Sequence, residues 1–474
     1  MPWGTAIVAN TMPDFDLTVI GSGPGGYVAA IHAARMGASV AILEQKDTEW
    51  GGTCLNWGCI PAKALIQSAE ILQAVRRAAE FGVLVPEPQL DWPVMQGRKD
   101  RVVEGMRAGV KALLGANGVE MITARGRLVG GTRVSADGRQ LDARSVLLAP
   151  GSGVALPPVP GAERALTSDT ILGLDHVPES LVVIGGGVVG MEFAGVFSLL
   201  GTKVTVIEML DQLLAPLDRD VAGRFQQLMA RRGVVFHLGA RVREVAGAAE
   251  RAVVRFEGGE VEAEQVLVAT GRRPNTADLG LEQAGIAMNR AAVAVDQHLR
   301  TNVDGVYAIG DATGITMLAH AASYQGEIAV TNALGERRIS ADYTAIPACI
   351  YTDPEIAYVG HSEAQARAGG AEVKVGQFPF SALGRAMVLG ETSGLVKVVA
   401  DRDGYLLGVT IMGPRATDLI AEAALALNVG ITAAELSHVV HAHPTLPEAV
   451  AESALDVDGR AVHIAPRRHS PADA

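Results

Sequence analysis

The pattern of hydrophobic positions near the start of the chain predicts a strand, a helix and a second strand. Leu17 to Ile20 is a short apolar run, Tyr27 to Met36 is favourable for a helix, and Ser39 to Leu43 is a second apolar run. This β–α–β order is typical of α/β folds. The sequence therefore predicts an α/β fold for this part of the chain.

The turn between the first strand and the helix is rich in glycine. Gly21, Gly23 and Gly26 have the spacing G-x-G-x-x-G, and the second strand ends at Glu44. Such glycines let the backbone approach a pyrophosphate at the helix N-terminus, and the acid binds a ribose hydroxyl pair. This segment therefore predicts a dinucleotide site of the Rossmann type.

The same motif recurs in the middle of the chain. Gly185, Gly187, Gly190 and the acid Glu208 repeat the first motif with the same spacings. Two motifs in one chain predict two bound dinucleotides. The alternative is a duplicated scaffold in which only one of the two sites works.

The later part of the chain changes character. A buried strand is expected to end at Gly310 and Asp311, where the acid suits a sugar-like hydroxyl or, alternatively, caps a helix. Beyond about Ala348 the strands alternate, and helices are expected over Ala416 to Leu427 and Ala433 to Leu436. This pattern predicts a separate C-terminal α+β domain.

Composition and charge narrow the class of protein. The chain has 474 residues, 19% of them charged, and a net charge of −12, which argues against nucleic acid and against an anionic membrane as partners. Glu192 interrupts the most apolar stretch, Leu181 to Gly201, so no membrane span is expected. Residues 1 to about 14 are expected to form a loose arm.

The lack of a recognisable export signal and the small number of cysteines indicate one cellular compartment. The first basic residue is Arg35 and the chain has three cysteines, so neither an export signal nor a disulfide framework is expected. We expect a cytoplasmic location, where a disulfide is more often catalytic than structural.

Two of the cysteines stand close together before a helix-favouring run. Cys54 and Cys59 lie five positions apart, and a turn that enters the first turn of a helix can bring such residues within disulfide distance. The helix N-terminus favours the thiolate. The alternatives are two unreactive thiols or half of a zinc site, which the lone Cys349 does not complete. No metal site is expected.

A histidine and a carboxylate form a second candidate pair near the end of the chain. His443 and Glu448 stand five positions apart with two prolines between them. A carboxylate on an imidazole holds one tautomer and raises its basicity. The alternative is a helix start with Glu448 as an acid of its first turn.

Taken together, these segments resemble the flavin- and pyridine-nucleotide-dependent disulfide oxidoreductases along nearly the whole chain. Within that family the chain is most similar to the branch that oxidises protein-bound dihydrolipoyl groups. The resemblance rests on the stretches GSGPGG, GGTCLNWGCIPAKAL, GGGVVGME, ATGRRPN, GDA, MLAH, YTDPEIAYVG and HAHPTLPEA.

The resemblance implies two Rossmann-like dinucleotide-binding domains and a C-terminal α+β dimerisation domain. It divides the chain into an FAD-binding domain (residues 1–155), an NAD-binding domain (156–275), a central part of the FAD-binding domain (276–347) and an interface domain (348–474).

The resemblance also implies which residues bind each cofactor. The first fingerprint and Glu44 would bind FAD, with further contacts from Gly52, Thr53, Lys63, Gly126, Gly151, Ser152, Asp311, Met317, Leu318, Ala319 and His320. The second fingerprint, Glu208, Val242 and Gly271 would bind the nicotinamide cofactor. Glu208 accepts from a 2′-hydroxyl and repels a 2′-phosphate, and no cation follows until Arg219, so NAD is expected.

By the same resemblance, the two cysteines have separate roles. Cys59 would lie against the flavin and Cys54 would face the substrate, while Lys63 and Glu192 would pair near the reactive edge of the flavin. Glu192 lies among apolar residues, and a buried charge needs a partner. The alternative places Glu192 on an exposed helix surface.

The resemblance further implies a homodimer, because His443 and Glu448 would reach the cysteines of the other subunit. The expected partners are lipoyl domains of 2-oxo acid dehydrogenase complexes or the lipoyl carrier protein of glycine cleavage. The alternatives are a related reductase of another disulfide, such as glutathione reductase or mercuric reductase, and a subunit that binds lipoyl domains without turnover.

Four features depart from the pattern of the family. Trp57 stands where a smaller residue is usual, Ala62 where serine is common, and Pro150 where threonine is expected. After His320, the residues AASYQG replace the usual charged residues. These departures could alter flavin exposure or substrate access.

Overall fold

This computed structural model describes residues 13–248 and 251–465. Residues 1–12 of the predicted loose arm therefore lie outside the described residues. The chain divides into two compact units. The first comprises the residues up to Pro61, Lys99–Gly153 and Arg272–Ala341, and the second comprises Ala62–Arg98, Val154–Gly271 and the chain from Asp342 onward.

The helices are numbered in chain order. They are α1 (Pro24–Arg35), α2 (Gly52–Trp57), α3 (Cys59–Arg76), α4 (Trp92–Ala116), α5 (Val188–Leu200), α6 (Arg219–Arg231), α7 (Ala319–Leu334), α8 (Glu363–Ala368), α9 (Gly384–Leu389), α10 (Ala416–Val429), α11 (Ala433–His438) and α12 (Glu448–Asp456).

The strands are numbered in the same way. They are β1 (Phe15–Ile20), β2 (Val40–Glu44), β3 (Glu120–Thr123), β4 (Gly126–Gly130), β5 (Arg133–Ala136), β6 (Arg139–Leu148), β7 (Ser152–Val154), β8 (Leu166–Thr167), β9 (Ser180–Ile184), β10 (Lys203–Ile207), β11 (Val235–His237), β12 (Val242–Ala248), β13 (Arg251–Phe256), β14 (Gly259–Ala263), β15 (Gln265–Val268), β16 (Arg272–Pro274), β17 (Met288–Asn289), β18 (Ala292–Val293), β19 (Val306–Ala308), β20 (Ala348–Ile350), β21 (Glu355–Gly360), β22 (Val373–Pro379), β23 (Leu395–Asp401) and β24 (Leu406–Gly413).

The first unit is built on one sheet whose central strands are parallel. Its order is β3-β2-β1-β6-β5-β4, and β19 also pairs with β6. The β1, β2, β3 and β19 pairings are parallel, whereas β4, β5 and the start of β6 are antiparallel. α1 and α7 pack together beside this sheet: a side chain on Gly326 would lie 2.8 Å from the Gly25 carbonyl oxygen. Small residues therefore bring the two helices close.

The second unit contains three sheets. A parallel sheet has the order β11-β10-β9-β15-β8, an antiparallel sheet comprises β12-β13-β14, and an antiparallel five-stranded sheet has the order β20-β21-β24-β23-β22. The parallel sheet repeats the strand arrangement around β1 in the first unit. The last sheet packs on α10, α11 and α12 around Phe378, Val398 and Ile411. The observed architecture is the predicted α/β class with an α+β C-terminal part.

Two of the boundaries that differ from the prediction affect the candidate site. α1 begins at Pro24 rather than Tyr27, because proline at the first helical position has a preset φ and needs no intrahelical donor. β19 ends at Ala308, so Gly310 and Asp311 lie in the short 3₁₀ helix Gly310–Thr313 rather than at the end of the strand. Among the described residues, no helix combines the length and hydropathy that a membrane crossing requires.

Candidate active site

The two glycine fingerprints have the same backbone geometry. Gly21 and Gly185 have φ of +103° and +112°, a conformation that side chains rarely adopt. A side chain on Gly26 would collide with the carbonyl oxygen of Gly21, and one on Gly190 would collide with that of Gly185. Both turns therefore need glycine for close backbone packing.

The middle glycine of each fingerprint faces open space. A Cβ on Gly23 or on Gly187 would meet no atom within 4 Å. Each residue is also the N-cap of the following helix, α1 or α5, whose free N–H groups carry partial positive charge. These two cradles fit a dinucleotide pyrophosphate.

The acid at the end of each second strand contacts its own glycine turn. Glu44 accepts hydrogen bonds from Ser22 N and Ser22 Oγ at 3.2 and 2.6 Å. Burial raises the pKa of Glu44 above its ordinary value, and this effect outweighs the hydrogen bonds, which lower the pKa. Glu208 accepts from Gly186 N and from Leu210 N. A carboxylate has about four acceptor sites, so each acid can still accept from a ribose hydroxyl.

Ser22 connects the first fingerprint to the cysteine segment. Its Oγ donates to Glu44 and accepts from Gly51 N at 3.1 Å. A Cβ on Gly52 would lie 2.6 Å from the Gly23 Cα, so the two backbones touch. The cysteine segment is therefore attached directly to the predicted pyrophosphate cradle, and Ser22 is a site residue that the sequence reasoning missed.

The cysteines lie on two consecutive helices. Cys54 is in the short helix α2, and Cys59 is the first residue of α3, whereas the sequence predicted a turn leading into one helix. Cys54 is half-buried and Cys59 is exposed. A Cβ on Gly58 would lie 2.8 Å from Thr53 O and 3.1 Å from the Cys54 Cα. The chain therefore folds back onto Cys54 at a position where only glycine fits.

The side chains of Asn56 and Leu55 hold α2 in place. The amide of Asn56 lies 3.1, 3.1 and 3.0 Å from the carbonyl oxygens of Glu49, Trp50 and Gly52. The Leu55 side chain is buried in the core of the first unit. Asn56 and Leu55 thus hold the helix that carries Cys54 against the sheet.

Lys63 and Glu192 form the ion pair that the resemblance implied. Lys63 Nζ lies 2.8 and 2.7 Å from the two Glu192 oxygens, and it lies 4.6 Å from the centre of the Tyr351 ring. Tyr351 N also donates to Glu192 Oε1 at 2.9 Å. The Glu192 side chain is only 8% exposed, so its placement on an exposed helix surface is wrong.

Ser152 and Asp311 belong to one polar group. Ser152 Oγ donates to Asp311 Oδ2, and Arg272 Nε donates to Ser152 Oγ at 2.7 Å. Asp311 thus accepts from Ser152, the first residue of β7, and lies in a short 3₁₀ helix rather than capping a long helix. Arg272, which stands in the quoted ATGRRPN stretch, was not selected from the sequence.

The other predicted cofactor contacts have varied surroundings. Gly126 is buried beneath Ile20 and Leu43, and Val242 is buried in the core of the second unit. Gly151 and Gly271 have open space where a Cβ would point. Met317 is exposed, Leu318 is the N-cap of α7, and Ala319 and His320 are its first two residues.

The predicted histidine–carboxylate pair is present. His443 Nδ1 lies 2.9 Å from Glu448 Oε1, and the imidazole is 79% exposed. Burial raises the pKa of Glu448, but hydrogen bonds from Thr445 N and His443 outweigh burial and lower it overall. Glu448 is also the first residue of α12, so the helix-start interpretation holds together with the pairing.

Three departures from the family pattern have a place in the fold. Ala62 is buried, and the carbonyl of Pro150 accepts from Asn275 Nδ2 at 3.2 Å. Gln325, in the AASYQG stretch, accepts a hydrogen bond from Gly310 N at 2.6 Å. Nothing in the structure explains Trp57, which is half-buried at the end of α2.

Cys349, the third cysteine, is half-buried. Burial raises the pKa of the Cys349 thiol to about 11, followed by the field of Glu355. Within the ranges that the structure describes, no group of three or more histidine, cysteine or carboxylate side chains is placed to bind a metal.

Comparison with known proteins places this geometry in context. A family model described as pyridine nucleotide-disulphide oxidoreductase matches residues 15–326, and the dimerisation domain of that family matches residues 346–454. A dihydrolipoyl dehydrogenase of Chlamydia muridarum is 41% identical over 463 residues, covering 96% of this chain and 99% of the relative. One of Bacillus subtilis is 39% identical over 474 residues, covering 95% and 99%.

Solved structures of similar fold include two bacterial proteins. LpdA from Mycobacterium tuberculosis has a TM-score of 0.86 and 32% identity, covering 92% of this chain and 98% of that chain. The HOCl-induced flavoprotein disulfide reductase RclA from Escherichia coli has a TM-score of 0.85 and 28% identity, covering 93% of this chain and 99% of that chain.

Proposed function

This chain belongs to the pyridine nucleotide-disulphide oxidoreductase family, and from that premise we propose that it is a dihydrolipoyl dehydrogenase. The proposed reaction oxidises protein-bound dihydrolipoyl groups to the lipoyl disulfide and delivers the electrons to NAD. The family uses FAD and NAD. Curated relatives of that name align with this chain over nearly their full length.

The observation that carries the proposal is the attachment of the cysteine segment to the first dinucleotide cradle. Ser22 joins Gly51 to Glu44 through two hydrogen bonds. A dithiol pair fixed beside a pyrophosphate cradle is suited to exchange electrons with a flavin, and an isolated pair of surface thiols is not. This link therefore supports redox chemistry at Cys54 and Cys59.

Both cradles fit their proposed cofactors. The first fingerprint, with Glu44, Ser152 and Asp311, would hold FAD, and the second, with Glu208, would hold NAD. When bound, FAD supplies the two-electron transfer that connects thiol–disulfide exchange with hydride transfer to NAD. The residues of the chain bind, orient and move protons around these groups.

The thiol chemistry can be assigned to named side chains. In the proposed cycle the partner subunit's His443 takes a proton from one dihydrolipoyl thiol. The resulting thiolate attacks Sγ of Cys54, the Cys54–Cys59 bond breaks, and Cys59 leaves as a thiolate. The second lipoyl thiol attacks the lipoyl sulfur of the mixed disulfide and its proton passes to the departing Cys54 sulfur, which releases lipoyl disulfide and the Cys54 thiol.

The environment of each residue suits its proposed role. Glu448 accepts from His443 Nδ1 and thereby leaves Nε2 as the nitrogen that takes the proton. Cys59 begins α3, where the free N–H groups favour its thiolate. Both oxygens of Glu192 hold the Lys63 ammonium in place, at 2.8 and 2.7 Å.

The dimerisation domain supports a homodimer. We propose lipoyl domains of 2-oxo acid dehydrogenase complexes, or the lipoyl carrier protein of glycine cleavage, as the macromolecular substrates. The division at residues 155, 275 and 347 and the cytoplasmic location remain predictions from the sequence.

The test is NAD reduction by free dihydrolipoamide in the FAD-loaded enzyme. We expect turnover with NAD, and a loss of about 10²–10⁴-fold in His443→Gln because a positioned base contributes that factor. Bound flavin should not change. His438→Gln, which alters an exposed histidine of α11, serves as the control.

Two results would count against the proposal. Near-normal turnover of His443→Gln would remove His443 from the role of base. Absence of lipoamide turnover in the wild type, together with NADPH-dependent reduction of glutathione disulfide, would assign the chain to a related reductase of another disulfide.

A further inference from the structure

Two histidines of the same short segment have opposite environments. His443, the proposed base, is 79% exposed, whereas the side chain of His441 is 8% exposed. A buried imidazole two residues before an exposed one suggests that the first serves the placement of the second. The contacts of His441 specify how.

Both ring nitrogens of His441 contact acceptors. Nδ1 lies 2.8 Å from Val439 O, and Nε2 lies 2.7 Å from Glu422 Oε1. A carbonyl oxygen only accepts, so Nδ1 carries a proton, and an ionised carboxylate also only accepts. One further proton is therefore held between Nε2 and Glu422. Because both nitrogens are engaged, His441 is not available as a base.

The pair joins two elements of the second unit. Glu422 lies in α10, whereas His441 lies in the irregular segment of residues 439–447 between α11 and α12. Val440, the neighbour of His441, is 95% exposed. Within one subunit, packing of Val440 therefore does not hold the backbone there, and the imidazole of His441 does.

The other half of the segment is held to α12. Thr445 N donates to Glu448 Oε2 at 2.8 Å, and Thr445 Oγ1 donates to Ala442 O at 2.6 Å. His443 stands between these bonds and the His441 anchor. The base is thus fixed from both sides, on α12 through Glu448 and on α10 through His441.

We propose that His441 is a positioning residue, which orients His443 for the thiol substrate by anchoring residues 439–447 to Glu422. This inference rests on the proposed function, because it takes His443 as the base. The anchor to α10 is the His441–Glu422 hydrogen bond, a second bond to Val439 O fixes the ring within the segment, and neither touches the reacting atoms. A misplacement of about 1 Å can cost about 10²-fold in rate, so the effect should be seen in turnover.

The test uses the full-length, FAD-loaded enzyme with three variants. His441→Phe removes both hydrogen bonds and keeps a buried ring. Glu422→Gln keeps them, because its amide can donate to Nε2 of a neutral ring. His438→Phe is the matched control: His438 is exposed on α11 and, among the described residues, bonds a carbonyl oxygen of its own helix, Ala434 O at 2.7 Å, and no other group.

We expect His441→Phe to lower kcat for dihydrolipoamide roughly 10- to 100-fold, with a smaller change in KM. NADH oxidation by ferricyanide, which needs no thiol base, should stay within about twofold of the wild type. Glu422→Gln should keep most of the lipoamide turnover, and His438→Phe should keep all of it.

The rate at which dithiothreitol reduces the Cys54–Cys59 disulfide is measured in parallel, since this step needs the base whatever the natural substrate is. A wild type that reacts with dithiothreitol but not with dihydrolipoamide would refute the proposed function alone. Equal rates for His441→Phe and His438→Phe would overturn the positioning role. So would an equal loss of ferricyanide and thiol activity, or a Glu422→Gln variant as slow as His441→Phe.

Discussion

Lys397→Met tests the most buried charge cluster of the second unit. The Lys397 side chain is 2% exposed in β23, and its Nζ lies 3.0 Å from Asp218, 3.1 Å from Asp220 and 2.9 Å from Glu363. Asp218 also accepts from the backbone N–H groups of Glu363 and Ala364 at the start of α8. One lysine therefore holds three carboxylates together.

The cost of the substitution follows from burial. Removing one partner of a buried ion pair typically costs about 3–5 kcal/mol, because the remaining charges lose compensation. Asp218 is 6% exposed, but Asp220 and Glu363 are 40% and 29% exposed and can recover water contacts. We therefore expect the lower end, about 3 kcal/mol, which corresponds to a fall of several degrees in the thermal midpoint.

The effect should depend on pH. Burial lowers the pKa of Lys397, but Glu363 and Asp218 outweigh burial and raise it above 10.5. Its stabilisation is therefore complete below pH 10.5 and is lost as pH rises through the raised value. Burial raises the pKa of Asp220, but Lys397 outweighs burial and lowers the pKa below 3.8. The contribution of ionised Asp220 to stability is therefore lost only as pH falls through the lowered pKa. The wild-type cluster is thus stabilising across neutral pH.

In the variant Asp220 lacks the cation that lowers its pKa, so it takes up a proton more readily on acidification. The destabilisation by Lys397→Met should therefore be larger at pH 7 than at pH 5.

Thermal unfolding followed by calorimetry measures this difference. Lys374→Met is the matched control, because Lys374 lies on the neighbouring strand β22 and pairs with Asp458 at 3.2 Å while 44% exposed. An exposed pair contributes about 0–1 kcal/mol, so its midpoint should hardly move. Equal shifts for Lys397→Met and Lys374→Met, or a larger deficit at pH 5 than at pH 7, would refute the reasoning.

Two further substitutions test the cofactor and cysteine sites. Glu208→Arg should lower kcat/KM for NAD relative to NADP about 10-fold or more, because the ribose acceptor becomes a cation that attracts a 2′-phosphate; an unchanged NAD preference would contradict the assignment. Gly58→Ala should slow reduction of the proposed Cys54–Cys59 disulfide by dithiothreitol, because its Cβ would press on Thr53 O at 2.8 Å. Gly105→Ala, where a Cβ meets no atom within 4 Å, should react at the wild-type rate.

The dinucleotide cradles illustrate how far sequence reasoning reached. The glycine spacings and the strand-terminal acids Glu44 and Glu208 predicted two cradles, and the structure contains two turns of the same geometry. The prediction succeeded because the turn is local: steric limits on a few consecutive residues decide it. The helix α1 starts earlier than the pattern predicts, because Pro24 is its first residue and not part of the turn.

The contacts that hold the site together were mostly not predictable in this way. Ser22 with Gly51, Arg272 with Ser152, and His441 with Glu422 join residues from different elements. A serine between glycines or an arginine after a strand has many possible partners in a linear sequence. The Lys63–Glu192 pair was anticipated only through resemblance to a family whose fold is known.

The sequence by itself determined the β–α–β elements of the two dinucleotide cradles, the closely spaced cysteines and the candidate base, because each depends on neighbouring residues and their periodicity. Only the tertiary structure decided which polar atoms meet: that Ser22 attaches the cysteines to the cradle, that Glu192 is buried against Lys63, and that His441 is anchored while His443 stays exposed. Hydrogen bonds and ion pairs form where packing brings distant segments within about 3 Å, and the local pattern of a chain does not contain that distance.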